Sequence, residues 1–269
     1  MRLQLINLLL FSDKRKNFLL LLAEGPKTID NVLDLLHVSR ISLLPQIKKL
    51  KEEGLIVQEG NICRLSTIGE ILIKKVQPLV DVAILFEENE YFWSQRKLNA
   101  IPFYLLKRIG ELKGCQLVEP SAAQGFDLFP DLVNYFVGAP KVMLLFSYFH
   151  PHIPSFSLDL AKKGVELRLI FSRDLFERFS MDFRSKGEMI LAQENASVFV
   201  RLEKTIEIPA VIAVSENKLL LGLFNKKGGF EGQYLLSSEP ETLSWGKELF
   251  EHYIEGSRKI SSMDSLIIV

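Results

Sequence analysis

The feature that most constrains this chain is a change of hydrophobic period between residues 28 and 65. Apolar residues first recur at helical spacing in two stretches, and each stretch follows a good helix-capping residue, Thr28 or Ser39. After Gly54 the pattern becomes two short strand-like segments, 55–58 and 62–65, on either side of a turn. We therefore expect two helices joined by a tight turn and followed by a β-hairpin.

Residues 2–24 predict a further helix or helix pair, largely buried, which ends at Gly25-Pro26. The order helix, helix, tight turn, helix and hairpin is typical of a winged helix-turn-helix, whose third helix normally lies in the DNA major groove. The apolar positions that define the first segment are Leu5, Leu8, Leu9, Phe18, Leu19 and Leu22.

The stretch TIDNVLDLLHVSRISLLPQIKKLKEEGLIVQEGNICRLSTIGE resembles winged-helix regulators of the broad ArsR-like type. The turn HVS, the run IKKLKEEGLI and the closing step LSTIGE carry this resemblance. It implies that residues 1–80 bind double-stranded promoter DNA. Because a winged helix can also be a protein-docking module, fold alone does not decide between these two functions.

The third helix predicts a DNA-facing surface once Leu43, Ile47 and Leu50 turn to the core. Arginine and glutamine can pair with base edges, whereas lysine suits phosphate, although a solvated helix surface would show the same residue types. Pro45 predicts a kink or a late start of this helix because it lacks a backbone donor. The predicted base contacts are Arg40, Ser42 and Gln46, the phosphate contacts are Lys48 and Lys49, and Arg64 of the hairpin reaches a phosphate or the minor groove.

Charge and apolar content separate the chain into two predicted domains, 1–80 and 81–269. The first holds 12 Lys and Arg against 8 Asp and Glu, and the second holds 21 against 25. Between them, residues 67–89 form a linker helix with more apolar surface than a free helix should expose, and Pro78 predicts a bend in it. We expect this helix to pack in a homodimer, with burial against the chain's own second domain as the alternative.

The second domain alternates helical and strand-like stretches, which predicts an α/β arrangement and an α+β class for the whole chain. Helix 156–163, strand 165–171 and helix 175–185 predict parallel crossover units, and the tail from Ser257 is expected to be loosely held. The other predicted helices are 103–112, 128–136 and 240–255, and the other strands are 116–119, 141–149, 197–202, 210–215, 218–224 and 233–236.

Three stretches of this domain, FWSQRKLNAIPFYLLKRIGELKGCQLVEPS, KKGVELRLIFS and KLLLGLFNKKGGFEGQYLLSSEPETLSWGKELFEHY, resemble the middle domain of archaeal regulators linked to methanogenesis genes. They resemble more distantly the phospholipase-D-like sensor domains of archaeal sugar-responsive regulators. The resemblance implies a phospholipase-D-like sensor. Because the chain has no His-x-Lys pair and no common hydrolase, nucleotide or metal signature, we expect no catalysis and no cofactor.

Four residues predict a site for an anionic small-molecule effector: Tyr148, His150, Arg168 and Arg173. Salt-bridged surface arginines would account for the same pattern. The pair His150 and His152 lacks further ligands, which favours a loop over a metal site. We interpret Trp245 and Phe250, and both cysteines, Cys63 and Cys115, as packing residues.

The chain contains no apolar run of membrane-spanning length and no signal peptide, so we expect a cytoplasmic protein with no membrane partner. Taken together, the patterns predict a dimeric, sequence-specific transcription regulator that responds to a signal in its second domain. One alternative is a non-catalytic assembly module that uses a winged helix to dock another protein. A nucleic-acid enzyme with an unrecognised site is a third interpretation.

Overall fold

The computed structural model describes residues 4–120, 134–203 and 207–265. It divides into two compact units, Met1–Asp81 and Val82–Val269. Helix and sheet are mixed, in agreement with the predicted α+β class. No helix in the described ranges combines the length and the apolar character that a bilayer crossing requires.

The first unit contains helices packed on a small antiparallel sheet in the order β1-β3-β2. The predicted caps are confirmed, since Thr28 Oγ1 accepts from the Asn31 amide over 3.2 Å and Ser39 Oγ accepts from the Ser42 amide over 3.3 Å. The elements are α1 (Gln4–Leu10), α2 (Asp13–Ala23), β1 (Lys27–Thr28), α3 (Ile29–Leu36), α4 (Arg40–Glu52), β2 (Ile56–Glu59) and β3 (Ile62–Leu65).

The core of this unit follows from the helical spacing of its apolar residues. Leu43, Ile47 and Leu50 of α4 are buried, as the sequence predicts, and Cys63 packs among them from β3. The helix-pair alternative for the first segment is confirmed, although Leu5 is 42% exposed. Helix α4 continues through Pro45, so the expected late start is wrong.

One long helix, α5 (Thr67–Glu88), runs across the boundary between the two units. Ile73 is buried in the first core and Leu85 in the second. The helix is continuous through Pro78, where the sequence predicts a bend. Its exposed apolar residues are Ile68, Ile71, Leu79 and Ile84.

The second unit is built on a mixed sheet whose described strands lie in the order β11-β7-β6-β5-β8-β9-β10-β4. The three strands β5, β6 and β7 are parallel, which confirms the predicted crossover units. The strands are β4 (Gln116–Val118), β5 (Lys141–Phe146), β6 (Glu166–Ser172), β7 (Ala196–Arg201), β8 (Val211–Val214), β9 (Leu219–Gly222), β10 (Tyr234–Ser237) and β11 (Ser257–Ile260).

Helices cover both faces of this sheet and enclose two separate apolar cores. Along β5, Leu144 faces one core while Leu145 faces the other, because side chains alternate along a strand. The first core lies under α8 (Ile153–Lys162), α9 (Arg173–Asp182) and α10 (Arg184–Leu191). The second lies under α6 (Glu90–Gln95), α7 (Phe103–Leu106) and α11 (Pro240–Glu255), where Trp245 and Phe250 are fully buried as predicted.

Several predictions for this unit need correction. The expectation of a loosely held tail is wrong for residues 257–265, because Ser257–Ile260 form β11 and pair with β7, and Met263 is buried. The rest of the predicted tail, 266–269, lies outside the described residues. The helix predicted at 103–112 is divided into α7 and a 3₁₀ turn, Ile109–Leu112. Most of the helix predicted at 128–136 lies outside the described residues, and its end, Asn134–Phe136, is a 3₁₀ turn.

Candidate functional site

Helix α4 presents one face to the core of the first unit and the other to solvent. Ser39 caps its first turn, and no acidic residue occupies that turn. Arg40 is the first helical residue, with 56% of its side chain exposed and Asp30 3.5 Å away. Lys48 is 78% exposed and lies 3.9 Å from Glu52. Both acids are exposed and lie near the outer limit of ion-pair distance, so these pairs are weak. Arg40 and Lys48 therefore remain accessible to solvent.

The other predicted DNA contacts differ in accessibility. Lys49 is exposed, and Arg64 on the hairpin is half exposed and lies 3.3 Å from Glu59. Ser42 is half-buried and donates its hydroxyl to the Ser39 carbonyl over 2.9 Å. Gln46 is half-buried and accepts a hydrogen bond from another helix. Arg40, Lys48 and Lys49 therefore share the accessible side of α4, whereas Ser42 and Gln46 are engaged within the unit.

Sequence reasoning missed three residues on the solvent side of α4. Ile41 is 88% exposed, Leu44 is 41% exposed, and Pro45 lies beside them. The helical spacing could have identified them, because a helix that buries Leu43 and Ile47 must turn positions 41, 44 and 45 toward solvent. We call Ile41, Leu44 and Pro45 the apolar stripe of α4.

In the second unit a cleft of about 270 Å³ lies where the parallel strands end. Ser147 follows β5, Ser172 ends β6, and Glu203 follows β7. Ligands in open α/β sheets bind at the carboxyl ends of the strands, which is the position of this cleft. The remaining lining residues are Lys97, Ala100, Arg173, Asp174, Glu207, Ile208, Phe224 and Gly228.

The charges that line this cleft are of both signs. Lys97 Nζ lies 3.1 Å from Glu207 Oε1, and Arg173 Nε donates to Glu177 Oε1 over 2.9 Å. The second oxygen of Glu207 is buried and has no hydrogen-bond partner among the described residues. A buried acceptor without a donor costs about 1–3 kcal/mol, so a ligand that donates to this oxygen would gain affinity.

The structure does not bring the four predicted effector residues together. Arg173 lines the cleft, but Arg168 points to the opposite face of the sheet from Tyr148, where it pairs with Glu251 and lies 5.5 Å from the Phe250 ring. Alternation along β6 explains this placement, because Arg168 shares its face with Ile170 of the second core.

Tyr148 and His150 do lie close to each other in the loop after β5. The Tyr148 hydroxyl is 2.8 Å from that of Tyr234, and the His150 ring is 6.4 Å from the Tyr148 ring. Across 4–120, 134–203 and 207–265, no three His, Cys, Asp or Glu side chains are grouped so that they could hold a metal ion. The His150 and His152 rings, 5.4 Å apart, lie in this loop.

Two sequence families match this chain. Residues 3–83 match the family described as the N-terminal domain of methanogenesis regulatory protein FilR1, and residues 126–256 match the family described as its middle domain. These two regions of the chain are therefore similar to the two named domains of FilR1. The first match ends at residue 83, near the division of the structure at Asp81, and the second begins at residue 126.

One curated relative is methanogenesis regulatory protein FilR1 from Methanothrix harundinacea (strain 6Ac), with 21% identity over 258 residues. The alignment covers 94% of this chain and 57% of FilR1, so the chain corresponds to little more than half the length of that relative.

Two solved structures have lower overall similarity. TrmBL2, an archaeal chromatin protein described as having a novel mode of DNA binding, is 12% identical, with a TM-score of 0.41 over 92% of this chain and 94% of TrmBL2. Phosphatidylserine synthase from Haemophilus influenzae Rd KW20 is 11% identical, with a TM-score of 0.32 over 62% of this chain and 39% of the synthase. Both scores are below 0.5, so neither structure defines the fold of this chain.

Proposed function

We propose that this chain is a sequence-specific DNA-binding transcription regulator whose first unit is a winged helix-turn-helix of the ArsR-like type. In this proposal α3, the turn at 37–39 and α4 form the helix-turn-helix, and β2 with β3 forms the wing. The observation that carries the proposal is the accessible cationic side of α4, with Arg40 in its first turn and Lys48 and Lys49 farther along. Cations on an exposed recognition helix match the phosphates that border a major groove.

The match to the FilR1 N-terminal domain supports this proposal, because the relative is named a regulatory protein. We assign Arg40 to base edges, since recognition helices contact bases with their N-terminal residues. Lys48, Lys49 and Arg64 are assigned to phosphates. Ser42 and Gln46 are assigned to the support of α4, because both are engaged by hydrogen bonds inside the unit.

We further propose that the regulator is a homodimer that uses the exposed apolar residues of α5, and that it acts in the cytoplasm. The support for dimerisation is the row of exposed Ile68, Ile71 and Leu79 on one long helix. A dimer would place two DNA-binding units on the two halves of a two-fold symmetric DNA site.

The second unit is proposed to be a non-catalytic, phospholipase-D-like sensor. Its cleft at the ends of β5, β6 and β7 is the proposed effector site, and Glu207 is the group that a donor on the effector would engage. An effector would change DNA binding only through different affinities for two conformations of the regulator.

A second candidate function is the docking of another protein by the first unit. The exposed side chains of Ile41 and Leu44 favour it, since apolar groups on a helix surface are typical of protein contacts. Salt distinguishes the two functions, because binding through phosphates weakens steeply as salt rises.

The test is a salt titration of binding to the DNA fragment upstream of the chain's own gene and to a scrambled duplex. The wild type is compared with the variant Arg40→Ala, Lys48→Ala and with Lys162→Ala, a matched loss of an exposed lysine in the second unit. We expect the wild type to prefer the upstream fragment and the double variant to lose affinity. Its salt slope should fall by about one unit for each phosphate contact removed. Equal or absent binding to both duplexes would refute sequence-specific DNA binding.

A further inference from the structure

The apolar stripe of α4 lies where a recognition helix meets base edges. Ile41 is the second residue of the helix and Leu44 and Pro45 follow one turn later, so all three share one side. Ile41 exposes 88% of its surface. A single exposed isoleucine is ordinary, but adjacent apolar side chains in the first turns of this helix indicate a binding role.

Cations flank the stripe at both ends. Arg40 precedes Ile41, while Lys48 lies one turn beyond Leu44 on the same side and Lys49 is next to it. The carboxylates nearby are Asp30, 3.5 Å from Arg40, and Glu52, 3.9 Å from Lys48. An apolar stripe between cations matches a polyanion that presents small apolar groups between its negative charges.

The DNA major groove has this chemistry. Phosphates border it, and the C5-methyl group of thymine is the apolar group that its base pairs present there. Minor-groove edges present no methyl group, so an apolar stripe has no matching apolar partner in that groove. Among nucleic acids, the stripe therefore matches thymine-containing duplex DNA in particular.

We propose that Ile41 and Leu44 recognise thymine methyl groups in the major groove, and that this contact contributes to the sequence preference of the chain. The inference rests on the proposed DNA-binding function and adds the base feature that is read. Arg40 then supplies the hydrogen-bonding part of the same reading surface, and Lys48 holds the phosphate backbone.

The experiment removes the methyl groups and leaves pairing and phosphates in place. The upstream fragment is synthesised with deoxyuridine triphosphate in place of thymidine triphosphate, and its affinity is compared with that of the thymine fragment. Wild type, Ile41→Ala and Leu35→Ala are measured at two salt concentrations. Leu35 is a matched control, because it is a 57% exposed apolar residue on α3, outside the stripe.

For the wild type and for Leu35→Ala, we expect affinity to fall about fourfold on uracil substitution for each methyl group that the stripe buries. Ile41→Ala should bind the thymine fragment more weakly than the wild type does, and it should lose less affinity on uracil substitution, because Leu44 alone then contacts methyl groups. Because Ile41 is exposed, this variant should keep the wild-type thermal unfolding midpoint, which circular dichroism verifies.

Two results would overturn the inference without touching the proposed function. One is salt-dependent, promoter-specific binding by the wild type that is equal for thymine and uracil fragments. The other is an Ile41→Ala variant that keeps the full wild-type response to uracil. If neither fragment binds under any salt condition, the DNA-binding function itself fails and the stripe is assigned to a protein partner.

Discussion

Arg15 of α2 donates from Nη1 to Gln46 Oε1 on α4 over 2.9 Å, and its Nε donates to the Leu8 carbonyl over 2.8 Å. One guanidinium therefore ties the end of α1 to the helix that carries the proposed DNA contacts. The side chain of Gln46 acts as an acceptor within the fold.

We predict that Gln46→Ala lowers the free energy of unfolding by about 1 kcal/mol, because it leaves part of the Arg15 guanidinium without its acceptor. The salt slope of DNA binding should be unchanged, since glutamine neutralises no phosphate. Urea unfolding and the salt titration measure the two effects. Gln46→Glu is the control, because it keeps an acceptor for Arg15. A Gln46→Ala protein with wild-type stability but no promoter preference would instead make Gln46 a base-reading residue.

Gly69 in the first turn of α5 approaches the backbone of the segment before β2. A Cβ atom at this position would lie 2.1 Å from the Leu55 carbonyl oxygen. We predict that Gly69→Ala destabilises the first unit by about 1–3 kcal/mol, since overpacking outweighs the gain of up to about 1 kcal/mol in helix propensity.

Gly187→Ala is the comparison for Gly69→Ala, because its Cβ would meet the flexible end of Met263 at 2.5 Å. The Phe179 ring lies 2.9 Å from the same Cβ position. We expect Gly187→Ala to cost less, because the Met263 and Phe179 side chains can shift and a backbone carbonyl cannot. Thermal unfolding of both variants measures the difference, and an equal or smaller loss for Gly69→Ala would contradict the prediction.

Local features of this chain were predictable from sequence, and contacts between distant segments were not. The caps at Thr28 and Ser39 depend on residues three positions apart, so the sequence contains the whole interaction. The engagement of Gln46 depends on Arg15, which lies 31 positions away. From sequence alone, Gln46 has the pattern of a DNA contact, because its hydrogen bond to Arg15 forms only in the folded unit.

The same reasoning applies to the second unit. The helix Pro240–Glu255 was predicted at its observed bounds, because its proline start and apolar spacing are local signals. The pairing of β11 with β7 was missed, since four residues with two exposed charges show no strand pattern alone. The cleft could not be predicted without the strand topology, because residues at the ends of three strands and at 97–100 line it.

His252 on α11 predicts a pH dependence of stability. Its pKa is lowered from 6.5 by burial and by the positive charge of Arg201, and Glu255 acts in the opposite direction. The unfolded chain then binds more protons just below pH 6.5, so stability is full above that value and is lost as pH falls toward the lowered pKa.

We therefore expect His252→Gln to lose less stability than the wild type between neutral pH and about pH 5.5. Urea unfolding across this range measures the difference. His152→Gln, at an exposed histidine, is the matched control and should keep the wild-type slope. Identical slopes for His252→Gln and the wild type would remove His252 as the cause.

The two cysteines predict slow thiol chemistry in the native protein. Cys63 is fully buried and burial raises its pKa, while burial raises the pKa of Cys115 to about 12. Since the thiolate is the reactive form, we expect alkylation at about pH 8 to be at least tenfold slower than in urea. Mass spectrometry of timed samples would assign each site, with Cys63 reporting on the first unit and Cys115 on the second. Rapid labelling of either native thiol would contradict the described burial.

The order of strands in the second unit has a consequence for folding during synthesis. Strand β4, near the start of the unit, pairs with β10, more than a hundred residues later, and β7 pairs with β11 close to the end. The sheet cannot be completed until residue 260 has left the ribosome, whereas the β1-β3-β2 sheet needs no residue beyond 65. A nascent chain would therefore hold a folded first unit while β4 waits for β10 and the outer edge of β7 waits for β11, both open to other chains. This makes the second unit the slow and aggregation-sensitive step of its production.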